Sequence, residues 1–153
     1  MAGKKSTTIL RGGSRGAVLA RAGTLLAPFV IAALKRLLEN PETQTWIQEQ
    51  LAQVTSTRSS TPDGMLTTIR ALRDDVRFLA ESADDAEEKA RAHAWTRQLD
   101  KCEQAAALLK APGATRKQRR TLRKKIGALH TEIFNAAILE KDEDVRAAEA
   151  QDL

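Results

Sequence analysis

Two stretches in the C-terminal half of this chain repeat apolar residues at alternating intervals of three and four. Ala92, Trp95, Leu99, Cys102, Ala106 and Leu109 form the first, and Leu122, Ile126, Leu129, Ile133 and Ala136 the second. A mean spacing near 3.5 keeps one side of a helix apolar over many turns and suits it to pack lengthwise against another helix. Ala111-Pro112-Gly113-Ala114-Thr115 lies between the two stretches and reads as a turn, with Thr115 placed to cap the following helix. The expected unit is therefore an antiparallel helical hairpin. A fold about Pro112-Gly113 sets Cys102 opposite Arg123 and His130 opposite Trp95.

Composition agrees with that choice. The 153 residues include 26 Ala and 18 Leu but no Tyr, which favours helices and excludes a β-sandwich, a collagen repeat or a disulfide scaffold. Further helices are expected upstream. Residues 17–39 form a helical pattern containing Pro28, and Asn40-Pro41-Glu42 opens a second helix over 41–54, with Ile47, Leu51 and Val54 on one face beside Trp46. A third, over about 64–81, carries Leu66, Ile69, Leu72, Val76 and Leu79, with Asp63 as its expected cap. The next is expected over 85–110, capped by Ser82 or Asp84, and the last to about residue 148. The fold class is thus all-α, with N-terminal amphipathic helices plus a C-terminal antiparallel hairpin or three-helix bundle with coiled-coil-like packing. Along the chain this reads as a flexible basic arm over 1–16, an amphipathic segment over 17–54, a Ser/Thr/Pro/Gly linker over 55–64 and a hairpin domain over 65–150. The alanine-rich seams promise a thin core, which the N-terminal helix or a second copy of the chain would complete.

Charge is segregated. The net charge is +5, but residues 1–38 hold seven basic side chains and no acid, and 116–125 hold seven more with no acid. Arg116, Lys117, Arg119, Arg120, Arg123, Lys124 and Lys125 sit where a helix begins, so they oppose the helix dipole and repel one another. A phosphate-bearing partner would relieve both penalties, which makes these seven the candidate contacts for an anionic partner. Glu87, Glu88, Glu140 and Asp142 are expected at the other end of the hairpin.

Ala22–Leu34 is thirteen residues long and uncharged. Three readings of this segment compete. It is short for a membrane span, its wheel suits a helix lying at a membrane interface, and its length also fits a helix buried in a core. Leu19, Leu26, Phe29, Val30, Leu34 and Leu37 are the candidate contacts with a membrane or partner.

Catalytic chemistry finds little footing. One Cys and two His carry no metal-ligand spacing, Gly12-Gly13-Ser14-Arg15-Gly16 lacks the Lys-Ser/Thr of a phosphate loop, and Cys102 and His130 fall too far apart along the hairpin for a dyad. No cofactor and no small-molecule substrate are expected, and the lone cysteine makes a cytoplasmic setting the default. The abundance of Ala, Arg and Thr fits a GC-rich bacterial source. The expected function is a non-catalytic helical adaptor or scaffold, associated with the inner membrane surface through residues 1–39 and binding a protein partner or itself through the hairpin. The alternative is a nucleic-acid-associated protein that contacts phosphates through the arm and residues 116–125, although no recognised nucleic-acid module surrounds them.

Overall fold

The computed structural model describes residues 28–56 and 60–152, all of them in helices or short connections, with no strand among them. Five helices follow in order: α1 (Pro28–Glu39), α2 (Pro41–Ser56), α3 (Pro62–Ser82), α4 (Ala86–Leu108) and α5 (Arg116–Gln151). Residues 1–27, and with them the expected arm, Leu19 and Leu26, lie outside the described residues, as do the side chains of Leu51 and Val54.

Local chemistry explains the helix ends. Pro41 and Pro62 stand at first helical positions, where a missing N–H is harmless and the fixed φ already suits a helix. Asn40 Oδ1 accepts from the Glu42 amide at 3.0 Å, capping α2. The cap of α3 is Thr61, whose Oγ1 accepts from the Gly64 amide at 3.1 Å, rather than the expected Asp63. Pro62 starts the helix early and moves the cap to the residue before it. The linker is shortened from both sides, because Thr55 and Ser56 belong to α2 and residues 62–64 to α3. Asp85, not Ser82 or Asp84, caps α4 by accepting from the Glu88 amide at 2.8 Å, while Glu88 turns back to the Asp84 amide. Thr115 caps α5 as expected. Its partner Gln118 closes a reciprocal box, the two bonds being 3.2 and 2.9 Å. Gly113 takes φ +98°, a left-handed conformation that glycine adopts without a Cβ penalty.

Two clusters of buried side chains hold the helices together. The larger joins α3, α4 and α5 through Ile69, Leu72, Val76, Leu99, Cys102, Leu122, Ile126 and Ile133. At its margin Lys110 pairs with Asp63 at 2.6 Å, and Arg73 reaches Asp100 and Glu103 at 2.5 and 2.6 Å, so α3 and α4 run antiparallel. Between α4 and α5, Trp95 Nε1 donates to Glu132 Oε2 at 3.2 Å, and Lys125 is the charged neighbour of Cys102. Each α5 partner stands two residues beyond the one expected from the turn. Helical side chains lean toward their own N-terminus, so residues farther along α5 reach back to the facing position.

The smaller cluster is Val30, Ala33 and Leu37 of α1, Ile47 of α2 and Ile138 of α5. Beside it Arg36 meets Asp142 at 2.7 Å, and Gln50 Nε2 donates to Asp75 Oδ1 at 3.0 Å, linking α2 to α3. Trp46 lies against both clusters. Of the three readings of the N-terminal segment, its described part therefore includes one face buried in the core.

Candidate interaction surfaces

The basic run occupies the first three turns of α5, where its orientation is set by two apolar anchors. Leu122 and Ile126 point into the core, so on a 100° wheel Arg120 and Lys124 fall opposite them, with Arg116 and Arg123 exposed on one flank. Lys125 and Lys117 border α4, and Arg119, half-buried, carries an Nε without a hydrogen-bond partner. None of the seven forms an ion pair among the described residues, in contrast to Arg73 with its two carboxylates. Lys101 adds an eighth positive charge across a groove of roughly 450 Å3 between α4 and α5. The groove floor is apolar, with Ala105, Leu109 and Leu122, and Leu108 stands 74% exposed beside it. Burial raises the Cys102 thiol above its ordinary value, only partly countered by Lys125, which keeps it protonated and unreactive at neutral pH.

At the other end of α5 the candidate α1 contacts divide. Val30 and Leu37 are buried against Ile138, Leu34 is partly buried there, and Phe29 is exposed. Leu37 is tied further, since Thr43 Oγ1 donates to its carbonyl. Val30 and Leu37 thus face α5 rather than solvent. Two side chains that sequence reasoning missed take the outward role. Ile31 is 55% and Leu38 47% exposed, and they stand seven residues apart on one side of α1 with the edge of Leu34 between them and Lys35 alongside. Their i, i+3, i+7 spacing was a usable signal, hidden because a wheel drawn over residues 17–39 gives one dominant face to the other set. No helix among the described residues is long and apolar enough to cross a membrane.

The carboxylates near the C-terminal end of α5 are not all free. Asp142 is only 3% exposed and accepts from Arg36 at 2.7 Å and Arg146 at 2.8 Å, so it serves as an internal tether rather than part of an acidic surface. Glu140 lines a cleft with Asp84, Glu143 and Asp144, and burial raises its pKa, with the neighbouring acids adding to the effect and Ser82 opposing it. No group of three His, Cys, Asp or Glu side chains among the described residues is placed to hold a metal ion. His93 is exposed. His130 is buried, stacks on Phe134 with ring centroids 5.9 Å apart, leaves Nε2 without a partner, and is pushed below its ordinary pKa by desolvation.

Comparison with protein-family models, with curated proteins and with solved structures returns no match.

Proposed function

We propose that the protein is a non-catalytic helical adaptor that rests on an anionic membrane surface through its N-terminal region and offers its C-terminal helices to a protein partner or a second copy. The observation that carries the membrane half is the outward column of Ile31, Leu34 and Leu38 beside Lys35, on a helix whose other side is anchored to α5. Residues 1–27 precede α1 in the sequence and carry five basic side chains and no acid. Burying a large aliphatic side chain is worth about 1.5–3 kcal/mol when complete, and each basic residue near an anionic leaflet adds about 1 kcal/mol. That combination is of the size that holds a peripheral protein reversibly. The partner half rests on α4 and α5, read here as a coiled-coil-like antiparallel hairpin with a basic tip.

A second reading is favoured by Arg116, Arg120, Arg123 and Lys124, four cations that lie outside the α4–α5 groove and form no ion pair among the described residues. Their two-turn stripe suits the phosphates of nucleic acid, bound without sequence preference and weakened by salt.

Two variants separate the readings. Ile31→Asp with Leu38→Asp changes exposed positions and should move the full-length chain from the membrane pellet of fractionated cells to the soluble fraction. Arg120→Gln, Arg123→Gln and Lys124→Gln together should leave that distribution unchanged. If the first variant pellets like the wild type, the membrane reading fails. If the second abolishes a salt-sensitive shift of duplex DNA that the wild type produces, the nucleic-acid reading takes its place.

A further inference from the structure

The groove at the basic tip has a shape and a charge that the general reading leaves without an occupant. Its walls are residues 101–109, from the end of α4 through its C-cap Leu109, and residues 117–125 of α5. The nine residues on each side span about 12 Å, or a little over two helical turns. The floor is aliphatic, Leu108 projects from one rim, and Lys101, Lys117 and Lys125 flank it with no carboxylate among the lining side chains. We propose that this groove docks an acidic amphipathic helix of a partner protein, its aliphatic residues on the floor and its carboxylates against the three lysines. The inference rests on reading the C-terminal helices as the partner-binding end and names the chemistry of that partner.

Charge and shape choose among occupants. Residues 1–27 of the chain itself carry the wrong sign, having basic side chains only. Nucleic acid would satisfy the lysines but gain nothing from Leu108 and the floor, since no aromatic side chain lines the groove on which a base could stack. A flat membrane meets the outer side of α5 more readily than a cleft between two helices. A third helix laid along α4 and α5 covers the aliphatic floor and completes a local bundle, the geometry by which amphipathic helices are usually received.

The test uses the full chain and a fluorescein-labelled synthetic helix about four turns long, with Leu along one side and Glu elsewhere. A scrambled peptide of the same composition serves as control. Fluorescence anisotropy should show saturable binding of the amphipathic peptide and at least about tenfold weaker binding of the scrambled one. Leu108→Asp and Lys101→Glu should each weaken binding about tenfold or more. Arg116→Gln with Arg123→Gln, on the outer side, should stay within about twofold. Leu108 and Lys101 are exposed, so unchanged urea midpoints verify that these variants fold. Equal binding of the scrambled peptide, or an equal loss in the outer-side variant, would overturn the groove in favour of general charge attraction. Concentration-dependent self-association abolished by Lys101→Glu would replace the partner with a second copy. Leu108→Asp and Lys101→Glu should also leave vesicle binding intact; a loss there would assign the groove to lipid. Membrane association through Ile31 and Leu38 is scored separately and stands or falls on its own variant.

Discussion

His130 shows how a single side chain can carry a condition-dependent cost. It sits in the core beside Phe134, its Nε2 finds no partner, and desolvation disfavours its charged form. An unfolded chain protonates histidine near the ordinary value of 6.5, whereas the folded chain resists until a lower pH. Between those two values the unfolded state binds more protons, so the stability present above about 6.5 is lost as the pH falls through that window. Asp75 and Glu140 act with the opposite sign. Burial raises both, and the stability they favour at acid pH is lost as the pH rises from the ordinary carboxylate range through their raised values. Because these trends overlap, the comparison must be between variants. The melting temperature of His130→Phe should fall less than that of the wild type between about pH 7.5 and about pH 5.5, as followed by circular dichroism. At the upper pH the variant should lie within about 2 kcal/mol of wild type, since removing an unpartnered buried nitrogen offsets part of the cost of fitting a larger ring.

At the scale of helices, the residues that start each element matter more than those along it. Thr115 and Gln118 satisfy two backbone amides at the head of α5, in the same turns where like charges and the helix dipole work against folding. Thr115→Ala should cost about 1 kcal/mol in urea denaturation, and the loss should shrink on adding an anion that screens the basic run. The apolar intervals of three and four announced α4 and α5 plainly, because a core-facing side repeats with the helical period whatever it packs against. Caps were less legible. Asp63, Ser82 and Asp84 were chemically suitable, and the choice fell to Thr61 and Asp85 because of Pro62 in one case and the exact start of α4 in the other. Which side of α1 faced inward was legible only as a set of options. Val30 and Leu37 pattern as well for a membrane as for a core, and only the position of Ile138 on α5 decides between them.

For the whole molecule, α5 is the common beam. Its 36 residues extend about 54 Å, with the basic tip over its first turns and α1 docked around Ile138 and Asp142. The two candidate surfaces are therefore well separated, as an adaptor with two distinct contacts requires. This arrangement depends on the α1–α5 contact, where Arg36 Nη1 donates to both carboxylate oxygens of the buried Asp142. A double-mutant cycle with Arg36→Ala and Asp142→Asn should return a coupling of about 1 kcal/mol in urea unfolding. The coupling is modest because Arg36 remains partly in water and Arg146 also reaches the same carboxylate. A coupling indistinguishable from zero would mean that α1 is not held there in solution. Sequence alone could not have supplied this link, since the two residues lie 106 positions apart and each reads as an ordinary surface charge.

The most direct test of the adaptor account is flotation of the purified full-length chain with lipid vesicles. Phosphatidylglycerol-containing vesicles should carry the wild type upward, phosphatidylcholine vesicles should carry far less, and Ile31→Asp with Leu38→Asp should leave the protein at the bottom with either lipid. A wild type that stays at the bottom with the anionic vesicles, or a double variant that floats as well as the wild type, would contradict the account.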